Sequence, residues 1–526
     1  MENYDVIFVF PKLWEKEFNP PNQPPYGLLM CSDLLLKNGY NVFVYDERLE
    51  TLGVKSRIEL INAVKHSSPL YFGISSQSGP MIENGLIDSK FFKQECPDVP
   101  VVWGGVHPTL LPEQTIQHHL VDVVIRGEGE LPSLGLADNL KKGNKDFSNI
   151  DGLYWKKPFE KSLHGKNDEK PFEKSLHGKT TKQEIIINKP CNGVPDLDKI
   201  DMRWDLVNPQ HYIRDIDGKK WLGIITSRGC PFRCGFCYNI SFFGMRKFRG
   251  WSPKKTIDEI KKLLDWGVDF VNFDDDYIFG DPLRMWNILD LKKQEGLDFN
   301  WKAPIRGHLL REGLTKRIKD GGCESVTIGA ESGSFEVLEF MTKDSGPDAF
   351  YMAAKNLKKY DIHGNFSWIL GYPGETLKDV YTTLNVIKDL EDINPKTEHV
   401  INIFAPYPGT PSFEQAIEKG FRPPLSLDGW TNNFREACDE LNYINEESRK
   451  VMEAIRWAGI FRTMYKRKRL YASWVRPFVE VLGTISNLRW NYNIYSLPIE
   501  QKSVVLGRKV LNKLMKKRNE ELEEAL

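Results

Sequence analysis

The chain reads as an α/β protein in three parts: a doubly wound, Rossmann-like parallel sheet, a partial TIM-like barrel of six β/α units, and a mainly helical region. Three observations predict this. Strand–helix alternation runs over residues 1–145, lapses over a polar, poorly periodic stretch at 146–217, and resumes over 218–420. From 421 to 526 strand rhythm is absent and helical, aromatic-rich periodicity replaces it. A length of 526 residues is also too great for one core.

In the first part, Tyr4-Asp-Val-Ile-Phe-Val-Phe10 is a continuous apolar run, the mark of a strand buried on both faces. Tyr26–Leu36 has helical spacing and stops at Asn38-Gly39. Asn41-Val-Phe-Val-Tyr45, Leu70–Ser75, Val99–Trp103 and Val121–Ile125 are further strands. Ligands of such sheets lie beyond the carboxyl ends of the strands. Those ends carry Asp46, Ser75-Ser76-Gln77, Gly104-Gly105 and Gly127-Glu128-Gly129, and their glycines let a bulky ligand approach the backbone.

The stretch 146–217 is read as a linker. In it Lys157–Lys166 recurs as Lys170–Lys179, a 13-residue tandem duplication that marks a tolerant surface loop. His164 and His177 are copies of one another, so they are not read as a metal pair. From 218 onward strands are expected at 221–226, 268–273, 299–303, 325–330, 365–370 and 399–404. Helices such as Lys254–Trp266 and Thr376–Leu390 fall between them. The active face of a parallel barrel lies at the strand carboxyl ends.

Lys+Arg and Asp+Glu are both 72, so bulk charge gives no case for nucleic acid. The opening Met-Glu-Asn-Tyr-Asp is not a signal peptide, and no apolar run reaches the roughly 18 residues of a spanning helix. Eight cysteines, five of them scattered, do not form a disulfide framework, so a reducing cytoplasm is expected. Residues 462–526 hold 14 Lys/Arg against 6 Asp/Glu. Lys466-Arg-Lys-Arg469 there precedes an aromatic stretch. That combination fits a packed helix bearing a solvated charged face, with peripheral contact with an anionic membrane as the alternative.

The remaining three cysteines, Cys230, Cys234 and Cys237, sit in Arg228-Gly-Cys-Pro-Phe-Arg-Cys-Gly-Phe-Cys-Tyr-Asn239, just beyond the first barrel strand. Three thiolates on a four-iron cubane leave one iron open to a small-molecule ligand. A zinc knuckle is the alternative and lacks a fourth ligand nearby.

This loop, with Tyr238 after its last cysteine, resembles the radical S-adenosylmethionine (SAM) superfamily. Phe273-Asp-Asp-Asp-Tyr-Ile-Phe279, Arg306, Gly329-Ala-Glu-Ser-Gly333, Gly371-Tyr-Pro-Gly-Glu375 and Pro406-Tyr-Pro-Gly-Thr410 continue the likeness. They resemble the branch of the anaerobic magnesium-protoporphyrin ester cyclase and the cobalamin-dependent radical methylases. Pro24-Pro25-Tyr-Gly-Leu28, Gly104-Gly-Val-His-Pro108 and Arg126-Gly-Glu-Gly-Glu130 are similar to the cobalamin domain of those enzymes.

The resemblance implies a [4Fe–4S] cluster on Cys230, Cys234 and Cys237. It implies SAM near Tyr238, Asp274, Asp275, Asp276, Arg306 and Glu331. For the three aspartates, Arg306 and Glu331, ordinary strand-end or salt-bridge roles are the alternative. It implies cobalamin near Asp46, Ser75, Ser76, Gln77, Gly104, Gly105, His107, Gly127 and Glu128. The D-x-H-x-x-G motif that gives cobalt a histidine is absent from 1–145, so no such ligand is expected there.

The implied activity is methyl transfer to an unactivated carbon, by way of a 5′-deoxyadenosyl radical and methylcobalamin. Oxidative cyclisation or ring rearrangement is the alternative within the family, and a non-catalytic sensor the alternative outside it. A tRNA methylthiotransferase needs three N-terminal cysteines, and only Cys31 and Cys96 are present. The implied partners are a small-molecule or lipid substrate and a flavodoxin- or ferredoxin-type one-electron donor.

Overall fold

A computed structural model of the chain describes residues 3–13, 21, 23–50, 52–157, 184–239, 247–431, 442–468, 475–495, 499–500 and 502–503. The duplicated segment with His164 and His177, and Arg469 with Tyr471–Trp474, lie outside these residues. The chain divides into two units. The first comprises Met1–Ile225, Ser241–Val268 and Pro424–Arg435; the second comprises Thr226–Ile240, Asp269–Pro423 and Glu436–Leu526.

In the first unit, strands β1 (Val6–Phe10), β2 (Val42–Asp46), β3 (Tyr71–Ser75), β4 (Val101–Gly104) and β5 (Val123–Ile125) pair in the order β2-β1-β3-β4-β5, all parallel. Their near-continuous burial reflects helices on both faces. Helices α1 (Tyr26–Lys37) and α6 (Glu130–Lys141) pack together. Between them in sequence lie α2 (Arg57–His66), α3 (Pro80–Glu95), α4 (Val106–Leu110) and α5 (Pro112–Gln117). A capping box starts α2, in which Ser56 and Glu59 each satisfy the other's backbone N–H.

Two short strands, β6 (Leu153–Lys156) and β7 (Ile185–Ile187), extend this sheet antiparallel beyond β5. They fall in the stretch read from sequence as linker. Runs of four and three residues carry too little alternation to stand out. An Asp217-Gly218 turn, both residues at positive φ, joins β8 (Arg214–Ile216) to β9 (Lys219–Ile224) as a tight hairpin. Helix α7 (Pro253–Asp265) also belongs to this unit, capped by Ser252 with proline at its first position.

A late segment of the chain returns to the first unit. Leu427 and Trp430 are each 1% exposed. The Trp430 indole N–H donates to Gln114 Oε1 at 2.6 Å, and Gln114 Nε2 donates to the Pro424 carbonyl at 3.0 Å.

In the second unit, β10 (Phe270–Phe273), β11 (Asn300–Ile305), β12 (Cys323–Glu331), β13 (His363–Leu370) and β14 (Glu398–Ile403) are parallel and in sequence order. Helices α8 (Pro282–Gln294), α9 (Glu312–Asp320), α10 (Phe335–Phe340), α11 (Pro347–Lys359), α12 (Leu377–Ile393) and α13 (Pro411–Glu418) complete the β/α alternation. Burial alternates along β11 and β13, unlike in the first unit. Trp301, Phe366 and Trp368 fill the sealed row. Lys302, Asn365 and Ser367 stand on the half-buried row, which is therefore polar.

Helices α14 (Glu446–Lys466) and α15 (Arg476–Tyr492) pack against each other, and α14 packs against β14. Lys466 pairs with Glu391, Arg467 with Glu398 and Lys468 with Glu480. The basic run, read from sequence as the charged face of a packed helix before a membrane patch, thus spends three of its cations on acids of its own unit. Among the described residues no helix is long and apolar enough to cross a membrane.

Candidate functional site

The cysteine loop is held at several backbone points within the second unit. Cys237 N–H donates to the Cys234 carbonyl at 3.1 Å, closing a turn between two ligand positions. Gly235 N–H donates to Met341 O at 2.8 Å, and Gly235 O accepts from Ser412 N–H at 3.0 Å. The Tyr372 hydroxyl lies 2.6 Å from Ser412 Oγ and donates to Phe340 O at 3.0 Å.

The acids beyond β10 fasten the front of the same loop. Asp275 is 3% exposed and accepts from Thr226 N–H at 3.1 Å, Thr226 Oγ1 at 2.9 Å and the Ser227 hydroxyl. Arg284 completes this buried cluster, donating to Thr226 O at 3.0 Å. Burial pushes the Asp275 carboxyl up to about 6, against the pull of Arg284 and the hydroxyl donors. Asp276 Oδ2 accepts from Gly229 N–H at 2.9 Å, and Asp274 accepts from the Asn272 side chain.

Arg306, 7% exposed, stacks its guanidinium 3.6 Å from the centre of the Phe232 ring. Its Nη2 lies 2.7 Å from Cys234 Sγ, while its Nη1 is buried without a hydrogen-bond partner. Glu331, at the end of β12, has φ +66° at a register shift and pairs with the buried Lys343 at 2.8 Å. A non-glycine residue in that region is strained, at a cost of roughly 1–3 kcal/mol. Tyr238 lies 5.7 Å from the Tyr407 ring, and burial raises its hydroxyl pKa.

Three thiols on one pinned loop suit a cubane, whose cysteine-bearing irons occupy separate corners. Among the described residues no three His, Cys, Asp or Glu side chains converge on a single-ion centre. Burial pushes the Cys237 thiol up to about 12 and also raises that of Cys230. Ligation by these two thiols must therefore displace a proton from each.

The strand ends of the first unit divide into engaged and open positions. Asp46 is wholly buried and taken up by Arg48, at 2.9 and 2.7 Å, and by the Tyr212 hydroxyl at 3.0 Å. Glu128 pairs with Arg249. Ser76 is buried, its hydroxyl donating to Gln77 O at 2.9 Å. His107 is also fully buried, its Nδ1 2.8 Å from Ser78 Oγ and its ring against Trp430. Burial pushes His107 down to about 3, so it is neutral.

Ser75, Gly104 and Gly105 are half-buried, Gln77 is exposed, and the backbone at Gly127, φ +88°, faces open space. Gly105, φ +96°, passes so close to Ser76 that an added Cβ would lie 2.8 Å from its carbonyl oxygen. An open edge of bare backbone and small polar side chains fits a large amide-bearing ligand such as cobalamin.

Sequence reasoning did not single out Thr226, Ser227, Arg284, Phe232 or Lys343. The first two directly precede the cysteine motif, and that adjacency was the available signal. Arg284 and Lys343 act through partners 58 and 12 residues away, which no local pattern encodes.

The family model of the radical SAM superfamily matches residues 224–387, and that of the B12 binding domain matches residues 20–137. An uncharacterised methyltransferase of Pyrococcus horikoshii is 32% identical over 398 residues, covering 75% of this chain and 78% of that protein. Among solved structures, the cobalamin-dependent SAM radical enzyme OxsB with aqua-cobalamin bound matches with a TM-score of 0.69 at 15% identity, over 98% of this chain and 76% of the other. The radical SAM methyltransferase TsrM from Kitasatospora setae matches with a TM-score of 0.63 at 17% identity, over 80% and 76%. These two likenesses concern the fold.

Proposed function

Since the chain belongs to the radical SAM superfamily and carries that superfamily's B12-binding domain, we propose that this cobalamin-dependent radical SAM enzyme is a methyltransferase acting on an unactivated carbon of a small molecule. The observation that carries this reading is the relative just described. It is named a methyltransferase, and its likeness runs along three quarters of this chain. When bound, the cluster, SAM and cobalamin together supply the low-potential electron, the hydrogen-abstracting radical and the methyl group.

The protein's own residues have narrower tasks. Cys230, Cys234 and Cys237 hold the cluster. Asp275, Thr226 and Ser227 keep the loop's entry immobile. Gly104, Gly105, Gly127, Ser75 and Gln77 would form the edge that holds cobalamin. The polar row of Lys302, Asn365 and Ser367 offers hydrogen bonds to a substrate with oxygen or nitrogen functions.

The test is anaerobic. Full-length protein replete with cluster and cobalamin is incubated with trideuteromethyl-SAM, a low-potential donor and fractionated small-molecule extracts. Appearance of a product carrying one CD3 in place of hydrogen, together with 5′-deoxyadenosine, supports the reading. A product of altered mass without the label supports cyclisation or rearrangement instead. Failure of the replete protein to form 5′-deoxyadenosine under every condition favours a sensor.

A further inference from the structure

Arg306 makes a contact that the reading above does not use. It stands one residue beyond β11 with its Nη2 at 2.7 Å from Cys234 Sγ, the middle of the three ligand positions. The Phe232 ring, on the cysteine loop itself, lies 3.6 Å from the guanidinium carbon and fixes its plane. The side chain is 7% exposed, and among the described residues no carboxylate is bonded to it and its Nη1 has no acceptor. A buried guanidinium without a carboxylate is costly unless some other negative charge compensates it. Among the described residues, the acceptor it holds is the sulfur of a cluster ligand.

We propose that Arg306 is a positioning and tuning residue that raises the reduction potential of the cluster by donating a charge-assisted hydrogen bond to the Cys234 thiolate. In the step concerned, one electron from an external low-potential donor is taken up by the cluster, which passes from the 2+ to the 1+ state. No bond forms or breaks and no proton moves. The added negative charge spreads over the sulfurs. A cation and an N–H donor at one of those sulfurs therefore stabilise the reduced state more than the oxidised one. Phe232 confines the guanidinium so that the donor is in place before the electron arrives.

The inference rests on the cluster and is independent of what the enzyme methylates. It is tested on full-length, anaerobically reconstituted protein by redox titration followed by electron paramagnetic resonance, with and without SAM. Arg306→Met removes donor and charge at similar length. The reduction equilibrium should move about tenfold towards the oxidised cluster, which is ~59 mV for one electron.

Phe232→Leu keeps the arginine but removes its platform, and should move the equilibrium the same way by about threefold. This second variant decides the matter if Arg306→Met fails to assemble a cluster. An unchanged midpoint in an assembled variant overturns the proposal. So does an unchanged midpoint accompanied by loss of the SAM-dependent spectral change, because Arg306 would then be a SAM ligand only.

Discussion

Asp275 permits a test of how the cysteine loop is held. Substitution by alanine deletes the acceptor for Thr226 N–H, Thr226 Oγ1 and Ser227 Oγ, all buried, and strips Arg284 of a neighbouring charge. Each orphaned buried donor costs ~1–3 kcal/mol, and breaking a buried charged cluster costs ~3–5 kcal/mol. These overlap rather than add, so about 4 kcal/mol of local stability should be lost. At 1.4 kcal/mol per decade, opening of the loop's entry becomes roughly a thousandfold more frequent.

Hydrogen exchange of the peptide spanning 226–234 reads this directly, and iron content per chain reads its consequence. Exchange within about threefold of wild type would refute the argument. A pH series adds a signed check. Burial raises the Asp275 carboxyl from 3.8 to about 6 in the folded chain. Its contribution to stability is therefore complete below about 4 and lost as pH rises through about 6. The protection of wild type relative to Asp275→Asn should fall across that window and stay level above it.

Four further outcomes are expected. Alanine at Cys230, Cys234 or Cys237 should each lower iron and acid-labile sulfide, measured on anaerobically purified protein; full retention in any one would remove it from the ligand set. Gly105→Ala places a methyl 2.8 Å from Ser76 O at φ +96°, so cobalamin retention and thermal stability should both drop. Gly27→Ala, in α1 with open space around it, should be neutral or stabilising in the same assays. Trp430→Ala should cost ~3–5 kcal/mol by thermal or denaturant unfolding, and a loss below about 1 kcal/mol would contradict its role in sealing the first unit.

Much of this architecture was legible because long periodic elements declare themselves. The strand expected at 325–330 is Cys323–Glu331, and that at 365–370 is His363–Leu370. The cysteine loop was legible for a different reason: three soft ligands at short spacing have few other uses. The side chains around the loop were not. The three aspartates look alike in sequence, yet each binds a different partner in the fold. Asp46 looked open at a strand end, but Arg48 two residues on and Tyr212 from a distant segment take up its carboxylate. Glu331 occupies a left-handed conformation that its own side chain gives no sign of accepting. Apart from Arg48 and Asn272, the partners that decide these roles lie farther along the chain than a local pattern reaches.

The return of Leu427 and Trp430 to the first unit sets an order of synthesis. A chain growing at ~5–20 residues per second needs roughly ten to thirty seconds to add the stretch Asp269–Pro423 before that tryptophan is made. For that interval the apolar surface around His107 lacks its cover, although the parallel sheet behind it is already complete in sequence. The first unit is thus begun first but closed only after much of the second has been made. Cells expressing this protein should hold a bindable nascent intermediate, and gene truncations ending before residue 424 should yield a first unit that pairs its strands but does not seal.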